Sequence, residues 1–185
     1  MHISLDGFVA GPKGELNWAK VNEELFAYVG QRIQKGETAL YGRNTYQMME
    51  SYWPTAAERA NASQHDIEHS KWYNSAHKIV LSKTLQESNL KNTNIISDNI
   101  AEKIKQIKSE AGREILIFGS PGATHALLDL NLIDGFWLFV NPILLGEGIP
   151  LFKNIKPGVV LNRLPETRQF ENGVVELNYE IDRTK

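Results

Sequence analysis

The stretch that most constrains this chain lies at residues 114–130, Glu-Ile-Leu-Ile-Phe-Gly-Ser-Pro-Gly-Ala-Thr-His-Ala-Leu-Leu-Asp-Leu. Four consecutive apolar residues, Ile115, Leu116, Ile117 and Phe118, read as a strand buried on both faces. Gly119 and Gly122 break that run, and Ala123, Ala126, Leu127 and Leu130 then recur at helical spacing. A strand, a tight glycine turn and a helix start leave unpaired backbone N–H groups and a partial positive charge where no side chain blocks approach. The functional reading is a phosphate held at residues 119–123. The plainer one is an ordinary α/β loop, so the rest of the chain has to decide between them.

With 185 residues, 42% of them hydrophobic and 23% charged, the chain is sized and composed for one globular domain over residues 1–185. Its formal charge of −2 argues against nucleic acid as a partner, because a general polyanion binder needs a strongly basic surface, and any anionic ligand must be held locally. The absence of cysteine excludes thiolate chemistry and disulfides and suits a cytoplasmic setting. No run of eighteen apolar residues and no signal-peptide pattern is present, so a soluble protein without a membrane partner is expected. Among the five histidines only His65 and His69 stand four apart, in a polar segment without the rest of a zinc signature. They read as a solvated helix face, and no metal is expected.

Residues 1–5 read as the tail of a first strand, one that starts late or is preceded by further chain. Gly7, Gly11, Pro12 and Gly14 then make a flexible loop carrying Phe8 and Val9 and ending near Trp18. Leu25, Phe26, Val29 and Ile33 share one face of a helix over residues 22–35, with Asn22 as its cap and Gly36 as its stop. A short strand over 37–41 leads through Gly42, Arg43, Asn44 and Thr45 into a second helix over 46–52, closed by Trp53-Pro54. Residues 56–76 are polar and helical in part, and 77–81 and 94–97 read as strands. Ser97 or Asp98 caps a helix whose buried stripe is Ile100, Ile104 and Ile107. After the opening stretch come an apolar strand at 136–140, an irregular loop at 144–151, and two strands, 159–170 and 174–181, around Asn172-Gly173, a strong hairpin signal. Alternating β and α units with a terminal hairpin predict a mixed, mostly parallel sheet with helices on both faces.

In an open α/β sheet, ligands bind beyond the carboxyl ends of the parallel strands. Three such ends carry suitable chemistry: Gly42 to Thr45 as a cradle with Arg43 as a planar donor, Ser82 and Lys83 as a hydroxyl and a cation, and the 119–123 turn. Each has a bland reading as a turn or a polar strand exit. Together they fit a pyrophosphate and a further ribose phosphate, the profile of NADPH.

Ser-Leu-Asp-Gly-Phe-Val-Ala-Gly at 4–11, Gly-Arg-Asn-Thr-Tyr at 42–46, Leu-Ser-Lys at 81–83, Phe-Gly-Ser-Pro-Gly at 118–122 and Asn-Pro-Ile-Leu-Leu-Gly-Glu-Gly-Ile-Pro-Leu-Phe at 141–152 stand in order over nearly the whole chain. They resemble the dihydrofolate reductase-like superfamily, and within it the branch of the bacterial riboflavin biosynthesis reductase domain and reductase-like proteins of unassigned substrate. The resemblance implies that Gly42, Arg43, Asn44 and Thr45 contact cofactor phosphates, that Ser82 and Lys83 lie near the adenosine ribose phosphate, and that Gly119, Ser120, Gly122 and Ala123 meet the pyrophosphate and nicotinamide side. It also suggests a homodimer, with one face of the 136–140 strand in the interface. Burial under helices explains that strand equally well. Dihydrofolate reductases carry a Gly-Gly turn with a cis peptide, and Ser120 in the second position puts such a bond in doubt, since it costs roughly 3 kcal/mol before a non-proline residue.

Hydride transfer needs a dry apolar pocket and usually an acid. Phe8, Trp18 and Phe26 are the candidate substrate contacts. Two carboxylates compete for the acid: Asp6, which also suits a turn cap before Gly7, and Glu23, which also suits the dipole of a first helical turn. The riboflavin enzyme usually carries a linked deaminase with zinc ligands, which are not seen in these 185 residues, and Phe118 stands where that enzyme commonly has glutamate, so the riboflavin enzyme itself is not expected. The expectation is an NADPH-dependent reductase acting on a conjugated heterocycle, against the alternative of a non-catalytic NADP(H)-binding protein of the same fold.

Overall fold

A computed structural model of the protein describes residues 1–34, 38–86, 90–110, 112, 114–155, 157–165 and 167–184. The expected helix stop at Gly36, and Lys35 and Glu37 beside it, lie outside these residues. In chain order the elements begin with β1 (His2–Ser4), β2 (Phe8–Ala10), α1 (Glu23–Ile33), β3 (Thr38–Gly42) and α2 (Arg43–Glu50). A 3-10 turn (Trp53–Glu58) precedes α3 (Gln64–Ser75), β4 (His77–Leu81), β5 (Thr93–Ile96), α4 (Ile100–Ser109) and β6 (Ile115–Ile117). The chain closes with α5 (Pro121–Asp129), β7 (Gly135–Asn141), β8 (Ile149–Pro150), β9 (Leu161–Arg163) and β10 (Val175–Ile181). Two compact units result, one of residues 1–22 and 124–185, the other of residues 23–123.

The 23–123 unit holds a four-stranded, wholly parallel sheet in the order β5-β4-β3-β6. Parallel strands need both faces covered, and β3 and β4 each have three central residues buried, among them Leu40, Tyr41, Ile79 and Val80. The apolar runs supply this burial directly. Lys78 is the exception in β4: its stem is buried while Nζ donates to the Ala76 carbonyl at 3.3 Å and lies 4.6 Å from the centre of the Tyr73 ring. From β3 the chain steps outward through β4 to β5 and then returns to β3's other side as β6. That reversal is a topological switch point, the place where loops at adjacent strand ends diverge and leave a crevice.

The other unit holds a mixed four-stranded sheet, β1-β7-β10-β9, and a two-stranded one, β2-β8. Here β7 runs parallel to β1 and antiparallel to β10. Its Phe136, Leu138 and Phe139 are buried within the chain, whereas Trp137 and Val140 are half-buried. Asn141, fully buried at its end, donates from Nδ2 to the Ile3 and Phe139 carbonyls and to His2 Nδ1, and its Oδ1 accepts the Lys20 N–H at 2.8 Å. One side chain thereby fixes β1, β7 and the loop that ends at residue 20. The architecture is mixed α/β, with a parallel sheet flanked by helices and an antiparallel C-terminal pair. Among the described residues no helix is long and apolar enough to cross a membrane.

Several local expectations change. Phe8 and Val9 belong to a short strand rather than a loop, because β2 pairs with β8, and Val9 is buried. β6 is half-buried throughout rather than buried on both faces. α4 begins after Asn99, which takes a left-handed φ of 45° and makes no side-chain cap, so neither Ser97 nor Asp98 caps it. Among the described residues the expected strand over 159–170 is reduced to β9 and an isolated bridge from Gln169 to Val175, although the turn at 170–173 forms as expected, with the Gly173 N–H donating to the Phe170 carbonyl. His65 and His69 are not a solvated face. His69 is buried against Trp53 and Trp72, and His65 stacks on Phe26 with ring centres 3.9 Å apart. The polar composition of residues 56–76 concealed a packed helix face.

Candidate active site

All the residues expected to hold the cofactor fall in the 23–123 unit, at the carboxyl ends of three parallel strands. Gly42 ends β3 and is the N-cap of α2, and having no side chain it caps nothing. Among the described residues the first backbone N–H groups of α2 therefore have no side-chain cap, the arrangement of a helix start that can meet an anion. Arg43 and Asn44 begin the helix one turn earlier than expected and are exposed, while Thr45 is half-buried.

At the end of the neighbouring strand β6, Gly119 has φ 56° and Ser120 has φ 52°. Two successive residues in the left-handed region turn the chain sharply into α5, which starts at Pro121. Pro121 lacks an N–H that a first helical turn would leave unpaired in any case. The bond between Gly119 and Ser120 is trans. Ser120 is buried, and its Oγ accepts the Gly42 N–H at 3.0 Å. A Cβ built on Gly42 would meet the Ala123 Cβ at 3.7 Å, and one on Gly119 would meet Thr45 Cγ2 at 3.7 Å. The two helix starts are therefore in contact and tied together by one hydrogen bond. A Cβ on Gly122 would meet nothing within 4 Å, so space is open over the second turn.

The third strand end, after β4, is a hydroxyl-stapled turn. Ser82 Oγ accepts the N–H groups of Thr84 at 3.2 Å and Leu85 at 2.9 Å, so the lone pairs of that hydroxyl serve the turn itself. Thr84 Oγ1 accepts a hydrogen bond from Arg43 Nη1 at 2.7 Å, which brings the Arg43 guanidinium to the Ser82–Lys83 turn. Thr84 had no signal in the sequence that would single it out. The donor set suits a dinucleotide phosphate: two adjacent helix starts, a planar cation and exposed Lys83.

The proposed acceptor-side residues are spread over both units. In the 1–22 and 124–185 unit, Asp6 accepts hydrogen bonds from Ser4 Oγ at 2.6 Å, from Leu145 N–H at 3.1 Å and from Gly146 N–H at 2.8 Å. The Ser4 hydroxyl foremost, and then the Gly146 N–H, hold its carboxyl below the usual carboxylate range. Asp6 is built to stay ionised and to fasten residues 145–146. Phe8 opens β2 and is half-buried, with its N–H donating to Ser4 Oγ. Trp18 is half-buried, and its Nε1 donates to the Glu15 carbonyl within the loop. His125 Nε2 lies 2.8 Å from the Leu151 carbonyl, fixing the far end of the 141–152 segment to α5. In the 23–123 unit, Glu23 is exposed in the first turn of α1, and one face of Phe26 is covered by His65. Among the described residues no group of three metal-ligating side chains comes together.

Comparison with known proteins agrees with this architecture. The sequence matches the RibD C-terminal domain family over residues 1–176. It is 33% identical to the Bacillus subtilis protein YyaP, itself uncharacterised, over 96% of this chain and 90% of that one. A Shewanella sp. PV-4 crystal structure, provisionally named for riboflavin biosynthesis, superposes with a TM-score of 0.70 at 23% identity, over 99% of this chain and 97% of that one. The Thermotoga maritima diaminohydroxyphosphoribosylaminopyrimidine deaminase/5-amino-6-(5-phosphoribosylamino)uracil reductase gives 0.65 at 14% identity, with 98% of this chain covering 55% of that one. These structural likenesses carry the fold, which is dihydrofolate reductase-like. The sequence match carries the family: the chain belongs to the reductase-like RibD C-terminal domain family.

Proposed function

We propose that the protein is an NADPH-dependent reductase that passes hydride to a small conjugated heterocycle of the pterin or pyrimidine kind. The observation that carries this reading is the pair of helix starts at the ends of β3 and β6, joined by the Gly42–Ser120 hydrogen bond, with Arg43 drawn to the next strand end. Backbone N–H groups of Asn44 and Thr45 on one side and of Gly122 and Ala123 on the other suit a pyrophosphate, and the glycines let it approach. Arg43 with Lys83 suits the extra ribose phosphate that separates NADPH from NADH. When bound, the nicotinamide supplies the hydride, and the chain's part is to bind, orient and exclude water.

The substrate class is drawn from the Thermotoga structural neighbour, which is named as a diaminohydroxyphosphoribosylaminopyrimidine deaminase/5-amino-6-(5-phosphoribosylamino)uracil reductase. Of the apolar groups expected at the acceptor ring, Phe26 shares the 23–123 unit with the residues assigned to the cofactor, and Phe8 and Trp18 belong to the other unit. Asp6 already takes three protein donors, so in this proposal it shapes the 145–146 segment rather than releasing a proton. Glu23, exposed in a first helical turn, is left as the carboxylate that delivers one. A homodimer in the cytoplasm completes the proposal, and sedimentation at low concentration tests it, a clean monomer rejecting the dimer.

The test of the cofactor is a tryptophan-fluorescence titration with NADPH and with NADH. Tighter binding of NADPH supports the reading; failure to bind either at millimolar concentration rejects it. The three donors already engaged by Asp6 favour the second reading, a non-catalytic NADP(H)-binding protein, since they occupy one of the two candidate acids. Oxidation of NADPH by the wild type with pterin and pyrimidine acceptors, lost in Glu23→Gln, separates the two.

A further inference from the structure

We infer that Thr84 is a positioning residue for cofactor selectivity, holding the Arg43 guanidinium at the site of the extra ribose phosphate. The inference rests on the NADPH reading above and adds a residue to it. Arg43 is exposed at the first position of α2, and a long exposed side chain there has several rotatable bonds to fix. Thr84 does so, accepting from Nη1 at 2.7 Å. Thr84 is itself fixed, because its own N–H is bound by Ser82 Oγ at 3.2 Å, and the same oxygen holds the Leu85 N–H.

The chain of supports thus runs from the end of β4, through the Ser82 hydroxyl, to Thr84 and then to the tip of Arg43. A neutral hydrogen bond to Thr84 leaves further guanidinium N–H groups for an anion, and among the described residues no carboxylate is paired with Arg43. An arginine held this way meets a phosphate with less side-chain entropy left to lose, a saving worth roughly three- to tenfold in affinity for one rotamer-rich side chain. NADH has no phosphate at that position and gains nothing from the arrangement. Thr84 therefore acts on the ratio of the two affinities rather than on nucleotide binding in general.

The experiment compares NADPH and NADH dissociation constants for the wild type, Thr84→Val, Thr84→Ser, Arg43→Ala and the Arg43→Ala/Thr84→Val double variant, all checked for unchanged circular dichroism. Thr84→Val keeps the shape and removes the hydroxyl at an exposed turn position. The expected result is a three- to tenfold loss of NADPH affinity in Thr84→Val with NADH unchanged, recovery in Thr84→Ser, and no further effect of Thr84→Val once Arg43 is alanine. An unchanged NADPH to NADH ratio in Thr84→Val, or an equal effect in the Arg43→Ala background, overturns the inference while leaving the cofactor reading in place. A wild type that binds neither nucleotide removes both.

Discussion

Ser120 offers the sharpest perturbation of the site, because two of its properties pull stability in opposite directions. Its φ of 52° lies in the left-handed region, where a non-glycine residue is disfavoured by about 1–2 kcal/mol, and its Oγ holds the Gly42 N–H. Ser120→Ala keeps the strained backbone and strips a half-buried donor of its partner, at a cost of about 1 kcal/mol. Ser120→Gly loses the same hydrogen bond but relieves the left-handed strain, less the roughly 0.5–1 kcal/mol that glycine's freer unfolded chain subtracts. Glycine at 120 should therefore be more stable than alanine by about 0.5–1 kcal/mol. For a chain of this size about 1 kcal/mol moves the Tm by roughly 2–4 °C. Thermal unfolding followed by circular dichroism is expected to rank the variants wild type, glycine, alanine, with alanine about 2–4 °C below wild type. Both variants release the tie between the two helix starts, so both should bind NADPH more weakly than wild type. A glycine variant less stable than the alanine one would contradict the left-handed geometry, and an alanine variant of wild-type stability would remove the hydrogen bond from the argument.

Acid sensitivity follows from the histidines. Burial first, then the neighbouring His65, pushes His69 down to about 3, and burial with the nearby N-terminal ammonium pushes His2 down to about 4. Below the unfolded value of about 6.5 the unfolded chain takes up a proton that the folded chain refuses, so stability falls as pH falls, by up to about 2 kcal/mol at pH 5 for His69 alone. Urea midpoints at pH 7.5 and pH 5 read this directly, and a stability that holds or rises toward pH 5 would show that these rings are not kept neutral. Asn141→Ala should cost about 2–4 kcal/mol, since it strips Lys20, Ile3 and Phe139 of their shared partner at a buried point; a loss below about 1 kcal/mol in denaturant unfolding would argue against that hub. Asp6→Ala is expected to speed amide exchange at Leu145 and Gly146 while leaving nucleotide affinity untouched. Unaltered exchange at those two amides would mean that Asp6 does not fasten the segment.

The elements that repeat the opening pattern were legible because their physics is local. An apolar run, a glycine and a helix start place β3 with α2 and β6 with α5, and the resulting cradles bring Gly42, Thr45, Gly119, Ser120 and Ala123 together. What escaped notice depends on partners distant in sequence. α3 is polar by composition, yet it opens with a capping box between Ser63 and Asp66, a signal present in the sequence, and it buries His69, Trp72 and Tyr73 against neighbours that periodicity does not name. The short strand β2 exists because β8 lies beside it, more than a hundred residues later in the chain. The roles of Thr84 and Asn141 rest on single side-chain bonds, to Arg43 and Lys20, that no spacing rule anticipates. Asp6 was visible as a carboxylate at a strand end, but only the structure supplies the three donors that hold its carboxyl below the usual carboxylate range and tie it to residues 145–146.

The central claim is that the two helix starts of the parallel sheet hold the phosphates of NADPH. Titrating isotope-labelled protein with NADPH and following backbone amide shifts tests it most directly. The account predicts saturable shifts concentrated at Gly42 to Thr45, Ser82 to Thr84 and Gly119 to Ala123, with those at Thr84 weakened when NADH replaces NADPH. Saturation with shifts confined to residues 124–185, or no shifts at millimolar nucleotide, would contradict it.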